Sequence, residues 1–324
     1  MRAVIIRRFG PPGVLEPVAL PSPVPGPGEV AVDVEFAGVT FVETQIRAGR
    51  PPRPEMLPAL PAILGNGVGG TVAEAGDGVD RGLVGRQVVA SLNGAGGYAS
   101  RTVTDAGRLL DVPADLAVRD AVALLADGRT ALSLAGVAGL LPGDTVLVEA
   151  AAGGVGTLLV QFARNAGARV VGLARGERKL EIIQELGADV AVDYGDGDWA
   201  RRVRDAVGGV DVVFDGVGGD IGRTAFGLLR PGGRFCPFGM ASGSFAGITG
   251  DLASARQVTV RAGFAADPVQ LREFARTALA DGAAGRIRPV IGQEADLARA
   301  AEAHAAIEAR TTIGKTLLAV SSSS

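Results

Sequence analysis

The amino-acid sequence predicts an α/β protein in which a doubly wound parallel sheet is inserted into a domain of short β-strands. Up to about Arg119, short apolar strands alternate with breaks rich in Pro and Gly, and beyond it strands alternate with segments of helical length. Repeated strand–helix–strand units imply a parallel sheet covered by helices. We therefore expect one domain from residues 1–120 and 267–320, a second from residues 121–266, and a disordered serine tail at residues 321–324.

The first domain is predicted from strands that proline-rich loops separate. Prolines alternate with other residues in 21–27 and cluster in 51–61, and such segments cannot join a β-ladder. After the second domain the chain is expected to return to the first. The expected strands are residues 3–7, 29–37, 70–75, 86–91, 99–103, 287–291 and 315–320, and the expected helices of the returning segment are residues 269–280 and 296–309.

The second domain is predicted from apolar strands and the amphipathic segments between them. Its strands are expected at residues 145–150, 169–174, 190–192, 210–214, 233–238 and 258–262, with helices at residues 155–166 and 177–186. The last of these strands can pair with its copy in a second subunit, so we expect a homodimer.

Composition excludes several kinds of partner. The 324 residues carry 32 Lys and Arg against 35 Asp and Glu, a net charge of −3, so no basic field exists to bind nucleic acid. No run of about 18 apolar residues occurs, and the N-terminal apolar run is too short for a signal peptide. We expect no membrane span and a cytoplasmic protein. The single cysteine, Cys236, excludes an internal disulfide and a cysteine zinc cluster.

A glycine-rich turn follows the first strand of the second domain. The residues from Thr145 to Gly156 form a buried strand, a turn and the start of an amphipathic helix, which is the context that a dinucleotide site requires. Glycines let the backbone approach a pyrophosphate, and the amides at the helix N-terminus point at the phosphates. The cofactor contacts expected in this turn are Ala151, Gly153, Gly154, Val155 and Gly156.

The end of the next strand predicts which dinucleotide binds. A carboxylate about 20 residues after the turn would bind the 2′-hydroxyl of NAD and would repel the 2′-phosphate of NADP. The strand ends instead at Ala174, and Arg175 and Lys179 follow, whose charges can neutralise a phosphate. We therefore expect NADPH. Glu177 is a contrary charge, and the alternative is that these basic residues form only the solvated start of a helix.

Several motifs along the chain resemble those of one enzyme superfamily. They are Ala-Ala-Ala-Gly-Gly-Val-Gly at 150–156, Val-Phe-Asp-Gly-Val-Gly-Gly at 213–219, Arg-Pro-Gly-Gly-Arg at 230–234, and the closing Gly314-Lys315. With them the chain resembles the medium-chain dehydrogenase/reductases, most closely the zinc-free quinone oxidoreductase (zeta-crystallin-like) branch. The resemblance implies a GroES-like β domain, an inserted Rossmann domain, and a cleft between them for nicotinamide and substrate.

The resemblance also implies chemistry without a metal. Zinc-dependent relatives have cysteine at the position of Thr40, histidine and glutamate at the positions of Gly65 and Asn66, and four cysteines in a structural lobe. Those ligands are missing here, and one Cys with one His cannot supply the N/S ligand set of a catalytic zinc. The expected activity is hydride transfer from NADPH to a quinone or an α,β-unsaturated carbonyl.

Hydrogen-bond donors are then needed for the oxyanion that develops on the substrate. The candidates are the side chains of Thr40, Asn66 and Thr130, with backbone amides near Gly239 and Met240, and water as the proton source. The two threonines alternatively satisfy local backbone groups, and Asn66 is alternatively a turn residue in left-handed geometry. The remaining cofactor contacts are expected from Tyr194, Val217, Gly239, Met240 and Lys315. Lys315 is alternatively a solvated lysine at a strand start, and Asp127, next to Gly128 in an expected turn before Thr130, is alternatively a cap.

Two other functions are compatible with the sequence. An enoyl-thioester reductase would need a positive channel for its carrier, and Arg47, Arg50 and Arg53 are candidates for it. A non-catalytic NADPH-binding protein is the other alternative. Three further residues are expected to be structural: His304 on a helix, Cys236 as a small buried apolar residue and Trp199 at a helix start.

Overall fold

A computed structural model describes residues 1–92, 94–261 and 267–320, and the predicted tail at 321–324 lies outside them. The described residues form sixteen strands, β1–β16 in chain order: Arg2–Ile6, Glu16–Ala19, Glu29–Val39, Ala62–Ile63, Gly67–Ala75, Gln87–Ser91, Arg101–Asp105, Leu110–Asp111, Thr145–Val148, Arg169–Ala174, Val190–Asp193, Val210–Asp215, Leu229–Pro237, Thr259–Val260, Ile291–Asp296 and Lys315–Ala319. They also form nine α-helices, α1–α9: Phe41–Arg47, Val118–Ala138, Gly154–Asn165, Glu177–Glu185, Trp199–Val207, Gly219–Phe226, Gly250–Ala255, Pro268–Ala283 and Ala300–Glu308.

The chain divides into two compact units. The β unit comprises Met1–Ala126, Leu279–Gly285 and Pro289–Ser324, and the α/β unit comprises Asp127–Ala278 and Arg286–Arg288. The β domain is therefore discontinuous in sequence. The unit bounds differ from the predicted domain boundaries, since residues 267–278 belong to the α/β unit, and the predicted boundaries stay a proposal.

The α/β unit contains a six-stranded sheet in the order β11-β10-β9-β12-β13-β14, with every neighbouring pair parallel. This is the strand order 3-2-1-4-5-6 of the Rossmann fold, whose order reverses between the first and fourth strands. All four residues of β9 are buried, as expected of a central strand covered on both faces. The predicted strand at 258–262 is described as β14 at the sheet edge, and residue 262 lies outside the described residues.

The β unit contains a seven-stranded sheet, in which β15-β16-β3-β5-β6-β8 are neighbours and β7 pairs with β3, and a three-stranded sheet in the order β2-β1-β4. The returning strand β16 pairs antiparallel with β3, so both ends of the chain build this unit. A core of buried residues that includes Val32, Val68 and Leu318 lies on the larger sheet. The predicted α/β class, with a Rossmann-type sheet and a GroES-like β domain, is confirmed.

Three local predictions were wrong or incomplete. The strand expected at 287–291 is wrong, because Pro289 lacks an amide donor and the strand begins only at Ile291. Helices α1 and α2 were not expected, and the turn expected around Asp127 and Thr130 lies inside α2. Among the described residues, α2 is the one helix long and apolar enough to cross a membrane, but 61% of its most apolar window is buried, as in the core helix of a soluble protein.

Candidate active site

The glycine-rich turn connects β9 to α3. Ala150 has φ 47°, a left-handed conformation that is unusual for a residue with a side chain, and Gly153 is the N-cap of α3. A Cβ at Gly156 would lie 2.3 Å from the carbonyl oxygen of Ala150, so only glycine fits there. The turn therefore brings its backbone close to the helix N-terminus, and the predicted contacts Ala151, Gly153, Gly154, Val155 and Gly156 all lie in it or in the first turn of α3.

Helix α2 contributes one carboxylate to this turn. A Cβ at Gly154 would lie 2.0 Å from Oδ2 of Asp127, so the Asp127 side chain occupies the space beside that glycine. Asp127 is buried and lies inside the helix; the interpretation of Asp127 as a cap in a turn is therefore wrong. Thr130 lies one turn further along the same helix, half-buried, and its role as a donor stays a prediction.

The tip of β10 carries the predicted 2′-phosphate site. Ala174 is buried at the strand end, and the guanidinium of Arg175 lies over the ring of Tyr194, 5.1 Å from its centre. The carboxylate of Asp193 accepts hydrogen bonds from the amides of Gly176 and Gly195, both at 2.7 Å, which fixes the loop that follows Arg175. Arg175 and Tyr194 are thus brought together, and Lys179 lies in the first turn of α4.

Two buried carboxyls meet at the point where the strand order reverses. Glu149 follows β9, and Asp215 ends β12, the strand beside it. The amide of Val217 donates to Oε2 of Glu149 at 3.0 Å and to Oδ1 of Asp215 at 3.2 Å, and the amide of Gly218 donates to the same Oδ1 at 2.6 Å. Burial, and then the hydrogen bond and charge of Asp215, raise the pKa of Glu149 well above its usual range. The shift of its pKa favours the protonated form of Glu149 beside Asp215.

A proton on Glu149 would account for two unsatisfied atoms. Oε1 of Glu149 and Oδ2 of Asp215 are buried and have no hydrogen-bond partner among the described residues. Leaving buried polar atoms unpaired costs about 1–3 kcal/mol each, whereas one proton between the carboxyls satisfies both.

Glu149→Gln is expected to flatten the pH dependence of folding stability. The pKa of Glu149 is raised in the folded state. Its contribution to the free energy of unfolding is therefore fully present below the ordinary glutamate pKa and is lost as the pH rises through the raised value. Glutamine cannot ionise, so the free energy of unfolding from urea titrations should fall less towards alkaline pH in the variant than in the wild type. Parallel curves for the two proteins would show that Glu149 is already ionised when folded.

The other predicted contacts of the α/β unit follow β12 and β13. Val217 is buried in the loop after β12. The amide of Gly239 donates to the carbonyl of Asp215 at 3.1 Å, and a Cβ at Gly239 would lie 2.5 Å from the carbonyl oxygen of Gly216. The Gly239 amide is therefore already paired, and the prediction of oxyanion donors among the backbone amides near Gly239 and Met240 stays a prediction. Met240 follows it in the same loop, and its role stays a prediction.

In the β unit, one buried carboxylate links two of the predicted donors. Thr40 is the N-cap of α1, and its hydroxyl accepts the amide of Glu43 at 3.3 Å. Oε2 of Glu43 accepts the Thr40 amide at 2.6 Å and the Thr40 hydroxyl at 3.1 Å, while Oε1 accepts the amide of Asn66 at 2.7 Å. The structure therefore brings Thr40 and Asn66 together through Glu43, a residue that the sequence analysis did not single out.

The side chain of Asn66 is anchored as well. Its Oδ1 accepts the amides of Leu92 at 3.1 Å and Gly94 at 2.7 Å. Asn66 does not have a positive φ, whereas Gly65 before it does, at 96°. The alternative of a left-handed turn residue is therefore wrong for Asn66, whose carbonyl oxygen instead holds the loop that begins at Leu92.

Tyr98 and His304 continue the network beneath Glu43. The Tyr98 hydroxyl lies 3.5 Å from Oε2 of Glu43 and 2.9 Å from Nε2 of His304. Burial, and then the charge of Arg47, lower the pKa of His304 to about 3, so the imidazole is neutral.

Lys315 is only 4% exposed, so the alternative of a solvated lysine is wrong. Its contact with a cofactor stays a prediction.

The remaining singled-out residues are structural. Cys236 is buried, and burial raises the pKa of its thiol to about 12, so it is an apolar core residue. Trp199 is buried at the first position of α5. Within residues 1–92, 94–261 and 267–320, no three His, Cys, Asp or Glu side chains are grouped so that they could hold a metal ion.

Comparison with known proteins identifies the family. A model described as the alcohol dehydrogenase GroES-like domain matches residues 26–114, and one described as zinc-binding dehydrogenase matches residues 154–280. A 2-haloacrylate reductase of Burkholderia sp. is 33% identical over 98% of this chain and 98% of its own, and a quinone oxidoreductase of Pseudomonas aeruginosa is 33% identical over 96% and 97%. This chain belongs to the medium-chain dehydrogenase/reductase superfamily, in its quinone oxidoreductase branch.

The fold of this medium-chain dehydrogenase/reductase matches a solved relative along its whole length. The structure of Escherichia coli quinone oxidoreductase complexed with NADPH superposes with a TM-score of 0.89 at 28% identity, covering 99% of this chain and 100% of that chain. The predicted family is therefore confirmed. The zinc in the name of one family model does not fit this member, because its only cysteine and histidine are both buried and belong to separate units.

Proposed function

We propose that this oxidoreductase uses NADPH to reduce a quinone or an α,β-unsaturated carbonyl compound. The observation that carries the proposal is the turn at residues 150–156, which lies at the reversal point of a parallel sheet whose second strand ends in Ala174 and Arg175. Ligands of such sheets bind outside the carboxyl ends of the strands at this point. The Escherichia coli relative solved with NADPH supports the same cofactor here.

The residues of the α/β unit fit this cofactor. Gly153 and Gly156 let the backbone and the α3 N-terminus approach a pyrophosphate, and Arg175, held over Tyr194, would pair with the 2′-phosphate. NADPH supplies the hydride when it is bound. The protein's own task is to orient both reactants, to exclude water and to place hydrogen-bond donors where negative charge develops.

The substrate class is proposed from the chemistry that the relatives share. In a 2-haloacrylate and in a quinone, a carbon–carbon double bond is conjugated to a carboxyl or a carbonyl group. Addition of a hydride therefore places negative charge on an oxygen. No cluster in the described chain fits a metal, so donors such as Thr40, Asn66 and Thr130 would stabilise that charge. Each of these three roles is part of the proposal.

The enoyl-thioester alternative loses one of its supports. Arg47 is 1% exposed and donates to the carbonyls of Gly10 and Thr44 and to the carboxylate of Glu308, so it cannot line an open channel. Arg50 and Arg53 are exposed, so both remain candidates for binding the carrier of an enoyl thioester. We also propose a homodimer and a cytoplasmic location, as expected from the sequence.

Oxidation of NADPH with a panel of acceptors tests the function. We expect turnover with phenanthrenequinone, benzoquinone or 2-chloroacrylate, followed by the loss of NADPH absorbance, and no turnover with crotonyl-CoA. Preference for crotonyl-CoA would replace the proposal by the thioester alternative. Tight NADPH binding without turnover of any of the four compounds would contradict the proposal.

Arg175→Ala is expected to raise the KM for NADPH about 10- to 100-fold and to leave the KM for NADH within about twofold, because charge-assisted bonds to a phosphate are lost only in the first case. Arg178→Ala is the matched control, since Arg178 lies in the same segment but is paired with Glu181 at 2.8 Å. Steady-state kinetics with both cofactors measures the effect. An equal change for NADPH and NADH would remove Arg175 from the phosphate site.

A further inference from the structure

We propose that Glu43 is the proton reservoir of the reduction and that it acts through the hydroxyl of Thr40. This inference rests on the proposed function, in which Thr40 contacts the substrate oxygen. Glu43 is 3% exposed, and it is bonded to the backbone of both Thr40 and Asn66. Glu43 thus joins two of the predicted donors directly.

The role of Glu43 follows from the fact that the Thr40 hydroxyl has only one proton to donate. A hydroxyl has one proton to donate, and its oxygen lies 3.1 Å from Oε2 of Glu43. When Glu43 is a carboxylate, the hydroxyl proton bonds to it and Thr40 has nothing to donate to a substrate. When Glu43 is protonated, Glu43 donates to the Thr40 oxygen, and the Thr40 proton is available to the developing oxyanion. Thr40 is therefore a donor only while Glu43 holds a proton.

The surroundings of Glu43 favour the protonated form. Burial raises its pKa, and this effect outweighs the bonds from the Thr40 and Asn66 backbone and the charge of Lys315, which lower it. The other titratable groups of the network keep one form near neutral pH. The pKa of His304 is lowered to about 3, and the pKa of Tyr98 is raised well above its usual value of 10.0, in both cases first by burial.

The proton balance of the step is complete. Reduction of a conjugated carbonyl adds one hydride and one proton to the substrate. The Thr40 hydroxyl gives its proton to the substrate oxygen and takes the proton of Glu43, so the O–H bond of Glu43 breaks as a new substrate O–H bond forms. Glu43 is left as a carboxylate, and water returns its proton after the product leaves. Glu43 is thus a positioning and proton-storing residue, and Thr40 is the group in contact with the substrate.

Glu43→Gln separates this role from that of a helix cap. With its oxygen in the place of Oε2, glutamine can still accept the Thr40 amide and the Thr40 hydroxyl, but it has no proton to release, and its NH2 group then faces the Asn66 amide. We expect kcat with the best acceptor of the panel to fall about 100-fold, as for loss of a general acid. The decrease in kcat that the wild type shows as the pH rises through the raised Glu43 pKa should be absent in the variant.

Four further variants complete the test. Thr40→Val should lose a similar factor and Thr40→Ser should recover it, while the double variant Thr40→Val/Glu43→Gln should be no worse than Thr40→Val, because the two residues act as one unit. Glu294→Gln, which changes an exposed carboxylate paired with Arg119, is the control and should keep the wild-type pH profile. Affinity for NADPH verifies that each variant is folded.

Infrared difference spectra of the protein without cofactor give a readout that does not depend on activity. Glu149 should contribute a protonated-carboxyl band in both proteins; the wild type should show a second such band, which disappears as the pH rises through the raised Glu43 pKa, and Glu43→Gln should lack that second band. A wild-type rate and pH profile in Glu43→Gln, or identical infrared spectra, would overturn the inference and leave the proposed function intact. If no acceptor of the panel is reduced, the proposed function fails while the infrared result still decides whether Glu43 holds a proton. If Glu43→Gln does not fold, a Thr40→Val variant with an unchanged rate would overturn the inference.

Discussion

Alanine at position 156 is expected to weaken NADPH binding roughly 10- to 100-fold. Its Cβ would lie 2.3 Å from the carbonyl oxygen of Ala150 and 2.8 Å from Cα of Ala151. Both are backbone atoms, which cannot rotate away as the end of a flexible side chain can, so the turn itself must shift. Overpacking of this kind costs about 1–3 kcal/mol, and each 1.4 kcal/mol or so corresponds to tenfold in affinity. Fluorescence titration with NADPH measures the change.

Gly136→Ala is the matched control for this variant. Gly136 lies inside α2, and a Cβ there would meet no atom within 4 Å. The same substitution should leave NADPH affinity unchanged and should slightly stabilise the helix, since alanine favours helices over glycine by about 1 kcal/mol. An affinity for NADPH in Gly156→Ala equal to that of Gly136→Ala would show that the turn does not hold the cofactor.

Arg47→Met is expected to lower the free energy of unfolding by about 3 kcal/mol, the lower end of the range for a broken buried ion pair. The Arg47 side chain is 1% exposed, and its loss removes the bonds that it donates to the carbonyls of Gly10 and Thr44 and to the carboxylate of Glu308. The lower end applies because Glu308 is 27% exposed and regains some hydration. Urea denaturation followed by circular dichroism measures the loss.

An exposed ion pair of the same unit provides the comparison. Arg86 and Asp111 lie 2.7 Å apart with side chains 49% and 56% exposed, and Arg86→Met should cost under about 1 kcal/mol. Adding Glu308→Gln to Arg47→Met should recover part of the stability, because it removes the uncompensated charge. A loss for Arg47→Met no larger than that for Arg86→Met would mean that the buried pair contributes nothing.

The α/β unit could be predicted closely because its signals are local. Strand β10 was predicted at the residues that it occupies, since a run of apolar residues between a polar start and Arg175 leaves little choice of boundary. Helix α2 was missed for the opposite reason. Gly128 next to Asp127 is typical of a turn, yet burial of the apolar residues around it outweighs the cost of a glycine in a helix.

The candidate site could be predicted only where neighbours in sequence are neighbours in space. The glycine-rich turn is such a case, because Gly153 and Gly156 lie against the carbonyl oxygen of Ala150, a few residues away. Glu43 was missed, although Thr40 followed three residues later by a glutamate is the pattern of a capping box. That pattern predicts the bond to Thr40. It does not predict the contacts of Glu43 with Asn66 and Tyr98, which distant strands bring to it.

The carboxyl pair at the centre of the parallel sheet has a consequence for how the protein matures. Glu149 is made together with the glycine-rich turn, but Asp215 and the amide of Val217 that binds both carboxyls arrive only after two more strands and their helices. Until β12 inserts beside β9, the Glu149 carboxyl has no partner with which to share its proton. A ligand stabilises only the state that it binds. NADPH bound at the carboxyl ends of the strands is therefore expected to stabilise the chain only after β12 has inserted beside β9.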